Sequence, residues 1–192
     1  MIQKTNLEAE RVRLEPLGKE HVNGLFDASD QTVWKYMPIH VASRDDIASF
    51  IQRSQQLHAD GTALAFAVIE KTSGEVAGST GYWSYVAEHK RVEIGFTWYA
   101  PKWQRTHVNT SCKLLLLTHA FEEMNLNRVE FKTDSLNERS RAAIGRIGAV
   151  EEGIFRNHVI QPDGRLRHSV YFSIINEQWP DVKARLLERL KK

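Results

Sequence analysis

The 192-residue chain sets 26 Lys and Arg against 24 Asp and Glu, a net charge of +2, and contains eight histidines and one cysteine. That length suits one domain able to bury its own core, and the scattered, balanced charge forms no basic stripe with interleaved aromatics for nucleic acid. Cys112 alone excludes an internal disulfide and cannot supply a zinc site, no run approaches about 18 uninterrupted apolar residues, and the N-terminus has no apolar signal core, so a cytoplasmic protein without a membrane span is expected.

In chain order, RVRLEP (11–16) alternates apolar and charged residues as a half-buried strand does, and Pro16 ends it. A short helix from Lys19 to about Ala28 follows. Ser43 precedes Asp45 and Asp46, and Ile47, Phe50, Ile51, Ser54 and Leu57 recur at helical spacing, so a capped second helix runs to about His58. ALAFAVIE (63–70), the turn KTSGE and VAGSTGYWSYV (76–86) read as an antiparallel hairpin, and RVEIGFTWYA (91–100) as a third strand stopped by Pro101. From Val108 to Met124 the pattern is a helix apolar on most of its circumference.

RVEFKTD (128–134) reads as a strand, and Asn137 to Ile147 as a helix ended by Gly148. Two strands at about 149–157 and 166–175 flank the turn signal QPDG, and a helix at about 177–191 places Trp179, Val182, Leu186 and Leu190 on one face. Strand, helix and strand over 91–134 make a parallel crossover beside an antiparallel hairpin. The expected class is therefore α/β or α+β with a mixed sheet of about seven strands flanked by helices. Ligands of such sheets favour the carboxyl ends of parallel strands, next to a helix N-terminus. WQRTHVNT (103–110) lies there, and its amides and polar side chains suit either a phosphate group or an ordinary capped helix entry with Thr106 or Asn109 as the cap.

The strand EIGFTWYAP, the turn beginning at Gln104 before an apolar helix, and a further strand followed by SLNERSRAAIGRIGAVEEG resemble the GNAT superfamily of acyl-CoA N-acyltransferases. Within it, RVRLEPL, VWKYMP and Asn137-x-x-Ser140 with its I-x-x-I-G-A ending resemble the RimJ/RimL branch, which also includes spermidine acetyltransferases. The resemblance implies a single domain over 1–192, with strands 93–99 and 128–134 splayed around acetyl-CoA. It places the pantetheine arm on backbone around Phe96, Thr97 and Trp98, and the pyrophosphate over Gln104, Arg105, Thr106, His107, Val108, Asn109 and Thr110. Asn137 either caps its helix or, as the resemblance implies, bonds the pantetheine amide, and the two roles are compatible. The family pattern Q/R-x-x-G-x-G/A is broken here, since His107 and Asn109 bring side chains where backbone normally meets phosphate. Those side chains either obstruct the phosphate or add bonds to it.

Acyl transfer from a thioester to an amine needs a neutral amine, a stabilised oxyanion and a proton for the thiolate. By the same resemblance Glu93 is the candidate base and Ser140 the group beside the CoA sulfur. Each has an ordinary reading too, Glu93 as an ion-paired strand residue and Ser140 as a first-turn helix residue. Glu138 is a second acid, in a helix position that favours acids for dipole reasons alone. Trp34, Tyr36, Trp83 and Tyr85 are candidates for an acceptor pocket and are equally suited to core packing. Cys112 reads as a small core residue, and the eight histidines show no metal-ligand spacing. The expected activity is N-acetyl transfer to a primary amine, either a protein N-terminus or a small amine such as a polyamine. The alternative is a CoA-binding or interaction module without catalysis. A homodimer is open under either, and no metal, nucleic acid or membrane partner is expected.

Overall fold

The computed structural model describes residues 2–191. Its centre is an eight-stranded sheet in the order β1-β2-β3-β4-β5-β6-β8-β7. The strands are β1 (Leu7–Glu8), β2 (Val12–Pro16), β3 (Leu64–Glu70), β4 (Val76–Val86), β5 (Arg91–Tyr99), β6 (Arg128–Asp134), β7 (Val150–Ile160) and β8 (Leu166–Ile175). Every neighbouring pair is antiparallel except β5 and β6. The sheet thus has eight strands rather than about seven. The extra one is two residues long, too short to show a period, and exists because Leu7 and Glu8 fold back on Leu14 and Arg13.

One layer of helices comprises α1 (Val22–Ala28), the single turn α2 (Gln31–Trp34) and α3 (Arg44–Ala59). Ser43 caps α3 reciprocally: its Oγ accepts from the Asp46 amide while Asp46 accepts from the Ser43 amide at 2.8 Å. β3 is buried along all seven residues because helices cover both of its faces. Leu64, Phe66 and Val68 join one core, and Ala65, Ala67 and Ile69 join the other, where α3 packs. The second layer is α4 (His107–Thr118), α5 (Glu138–Arg146) and α6 (Trp179–Leu190). α6 docks on α4 through Trp179, Val182 and Leu186, each worth about 1.5–3 kcal/mol of apolar burial, and Glu122 accepts from both Trp179 Nε1 and Lys183. Gly148 ends the α5 segment with φ +99, and a Cβ there would meet Val182 at 3.0 Å.

The feature that shapes the functional region lies between β5 and β6. They pair in parallel only from Arg91 to Glu93 and from Arg128 to Glu130. Beyond that point β5 follows β4 to Tyr99, while β6 follows β8 to Asp134. A bulge helps turn β5 away: three steps of β5, Gly95 to Trp98, oppose two of β4, Gly81 to Ser79, with Phe96 at φ +47. The result is a V-shaped gap open at the carboxyl ends of both strands, with the N-terminus of α4 at its mouth. Among the described residues no helix is long and apolar enough to cross a membrane.

Candidate active site

At the mouth of the V, β5 gives way to a short turn, Pro101–Trp103, and then to the residues that start α4. Arg105 takes φ +63, Thr106 is the N-cap, and its hydroxyl accepts from the Val108 amide at 3.3 Å while donating to Trp103 O at 2.8 Å. The capping reading of this turn therefore holds. First-turn amides of a helix have no partners inside it, so those of His107 and Asn109 remain available to an anion, and exposed Arg105 adds a positive charge beside them. Asn109 and Thr110 are half-buried on the same turn, whereas Val108 is fully buried and its amide is taken by the Thr106 hydroxyl.

His107 turns its ring towards Glu70, with Nε2 4.0 Å from the carboxylate. Burial, helped by the nearby Arg11 charge, holds the imidazole below its ordinary pKa. Glu70 itself sits at about 2, because bonds from Ser73 and Thr72 outweigh its burial. The ring that replaces the family's glycine is thus stored under the turn. Gln104 Nε2 donates to Tyr99 O at 2.9 Å, and its carbonyl accepts from Arg139 at 2.5 Å, so one amide spans from the end of β5 to the first turn of α5.

Inside the V, Phe96, Thr97 and Trp98 have no strand beside them on the β6 side. The Thr97 hydroxyl lies 2.7 Å from Thr80 Oγ1 and accepts from Lys113 at 3.1 Å. Lys113 projects from α4 beneath the gap, 5% exposed, with its ammonium 5.6 Å from the centre of the Phe131 ring. Burial pulls this lysine down to about 8. Among the described residues one of its three donors has an acceptor. On the opposite side of β6, Asn137 caps α5 by accepting from the Ser140 amide at 3.0 Å; Ser140 is half-buried and Glu138 exposed. Cys112 is fully buried and its thiol is pushed up to about 12, chiefly by burial, which leaves it inert.

Glu93 stands at the vertex of the V, where pairing of β5 with β6 ends. Its side chain is 6% exposed and forms an ion pair with Lys132 at 2.9 Å. The carboxylate reaches over Gly95, where a Cβ would stand only 2.7 Å from it. Glu93 belongs to the face of the sheet that also carries Trp83, its cross-strand partner, and the α1–α3 layer. On that face Trp83 contacts the Phe96 ring at 4.5 Å, Trp34 contacts Trp98 at 4.8 Å, and Tyr36 follows in the loop after α2. Tyr85 is not with them: Ser84 adopts φ +52, and Tyr85 packs against the core on the other face.

Four charged residues in this region had not been singled out from sequence: Lys113, Lys132, Arg139 and Arg167. Lys113 did carry a signal, since it shares a helical face with Leu116 and Leu117, both fully buried. Lys132 and Arg167 sit at alternating positions of ordinary strands and gain their partners only through tertiary pairing.

The comparisons with known proteins agree with this layout. Residues 11–150 match the family model described as Acetyltransferase (GNAT) domain. The solved structure of a GCN5-related N-acetyltransferase from Brucella melitensis is 29% identical, with a TM-score of 0.91, covering 98% of this chain and 86% of that one. A Bacillus subtilis protein, YdaF, named for a proposed ribosomal N-acetyltransferase activity, is 28% identical over 173 residues, 88% of this chain and 92% of its own. Mycobacterium smegmatis RimJ, solved in complex with CoA-disulfide, shares the fold at 20% identity, with a TM-score of 0.84 over 97% of this chain and 95% of RimJ. An acyl-CoA-dependent acetyltransferase of the GNAT family is what the matched family model, the relatives' names and the splayed sheet jointly describe, and this chain belongs to that family.

Proposed function

We propose that the chain transfers the acetyl group of acetyl-CoA directly to a primary amine, with a protein N-terminus as the leading acceptor. The observation that carries this reading is the V itself: phosphate-ready amides stand at its mouth, and a carboxylate stands at its vertex on the opposite, aromatic face. The residues fit acetyl-CoA in three respects. The α4 first turn offers amides and Arg105 to the pyrophosphate, the free edge of β5 at Phe96–Trp98 can pair with the pantetheine arm, and Lys113 has spare donors on the floor. The preference for a protein N-terminus rests on the RimJ/RimL-like resemblance and on the name of YdaF.

In this reading the amine enters from the Trp34, Tyr36 and Trp83 face. Glu93 takes its proton directly or through water, and the neutral nitrogen attacks the thioester carbonyl while a β5 amide steadies the oxyanion. The carbon–sulfur bond breaks as the nitrogen gives up its second proton and the departing thiolate takes one up, with Ser140 hydrogen-bonding the sulfur as it leaves. Glu93→Gln should therefore lower kcat by about 10²–10⁴-fold with acetyl-CoA affinity retained, read by steady-state kinetics and calorimetry. Unchanged turnover would remove Glu93 from the chemistry.

A further inference from the structure

Arg167 is a cation that the fold buries without giving it an anion. It lies on β8 opposite Val159, is 5% exposed, and makes one long hydrogen bond, 3.5 Å from Nη1 to the Tyr36 carbonyl. Its Nε has no partner. The two carboxylates near enough to act on it already have cations of their own: Asp134 accepts from Arg165 at 2.5 Å, and Glu93 is ion-paired with Lys132 at 2.9 Å. Among the described residues no carboxylate lies within 4.0 Å of the Arg167 guanidinium. Lys132 and Arg165 are thus matched to Glu93 and Asp134, and Arg167 is left without a carboxylate of its own.

A guanidinium cannot shed its proton to escape this position, and a buried charge without a counter-ion is costly. A fold that only needed to hold the Tyr36 loop could do so with a neutral donor. The unmet valence also lies on the face that presents Glu93, beside a loop already named as acceptor wall. Gln161, on the same hairpin, is 4% exposed and leaves its side-chain carbonyl unpartnered. A donor and an acceptor thus both stand unused here.

We propose that Arg167 receives a carboxylate carried by the amine acceptor, so that the enzyme selects amines with an anionic group nearby and rejects polyamines. This rests on the acetyltransferase reading above. The carboxylate can come from a free α-amino acid or from an acidic first residue of a peptide. A bidentate guanidinium–carboxylate pair supplies orientation as well as affinity, and it would hold the amine at a fixed distance from Glu93.

The test compares matched acceptors with acetyl-CoA: α-amino acids against their carboxamides, and short peptides beginning with Asp or Glu against those beginning with Asn or Gln. The expected result is a preference of about tenfold or more in kcat/KM for the acid in one of the two series. That preference should collapse towards one in Arg167→Gln and return in part in Arg167→Lys; the series that shows it identifies the source of the carboxylate. A wild-type ratio near one in both series, or an unchanged ratio in Arg167→Gln, overturns the proposal. A purely structural arginine would lower acids and amides together and leave their ratio alone. Calorimetric titration of the same compounds separates the two readings. Acid-selective binding lost in Arg167→Gln without any acetylation supports the carboxylate site while sinking the acetyltransferase reading, and no acid-selective binding with no acetylation sinks both.

Discussion

Replacing Lys113 by Met is expected to make the protein more stable and a poorer user of acetyl-CoA. Burial takes the ammonium from an ordinary 10.5 to about 8, and at about 1.4 kcal/mol per pKa step this is a cost on the order of 3 kcal/mol at neutral pH. Methionine has similar reach and volume and carries no charge. The lost bond to Thr97 returns about 1 kcal/mol of that, and Thr97 keeps its contact with Thr80. The net gain is about 2 kcal/mol, or about 4–8 °C in Tm for a chain of this size. The sign with pH follows from proton counting. The folded pKa is depressed, so between about 8 and 10.5 the unfolded chain holds a proton that the folded one has released, and wild-type stability rises with pH across that window. The Tm advantage of Lys113→Met, followed by thermal denaturation at a series of pH values, should be full below pH 8 and shrink towards pH 10.5, while acetyl-CoA binding at pH 7 weakens by about tenfold. A lower Tm in the variant, or an advantage that does not change with pH, would refute the reasoning.

Gly95→Ala would place a Cβ 2.7 Å from the Glu93 carboxylate, which must swing aside, and 3.3 Å from Trp83 Cδ1, which must give by a few tenths of an ångström; kcat should fall by about 10²-fold with only a small fall in Tm. At His107, proline suits the first helical position and deletes one amide, whereas glycine keeps it. Calorimetry should therefore find acetyl-CoA bound more weakly by His107→Pro than by His107→Gly, by about tenfold, and equal affinities would take the phosphate off that amide. His107, His119 and His158 are all held below the ordinary imidazole pKa, chiefly by burial. Their stability is full above about 6.5 and is lost as pH falls through that value, because the unfolded chain then takes up protons that the folded one resists. Tm should drop between pH 7.5 and 5.5, and the drop should be smaller in His119→Gln.

The elements of this fold could be read locally because their signals are local. Ser43 and Asp46 close a capping box within four residues, Gly148 ends α5 where a positive φ is needed, and the 3.6 period of α4 and α6 survives any tertiary context. The splay of β5 from β6 followed only from resemblance, since it depends on which neighbour each strand keeps after Glu93 and Glu130. Side-chain direction was the least legible property. His107 stands in the glycine position of the phosphate pattern, yet its ring lies against Glu70, and Tyr85 crosses to the other face because Ser84 takes a positive φ. Lys113 and Arg167 drew no reading from the sequence, and it is the packing of α4 on the sheet and of the Tyr36 loop over β8 that makes them buried cations.

The central claim is that acetyl-CoA occupies the V between β5 and β6. Calorimetric titration with acetyl-CoA, alongside ATP and plain CoA, tests it most directly. The account predicts one saturable site, with an affinity on the order of micromolar, filled by acetyl-CoA and CoA and not by ATP, because the pantetheine arm must pair with the free edge at Phe96–Trp98. No binding, or ATP binding as tightly as acetyl-CoA, would contradict it.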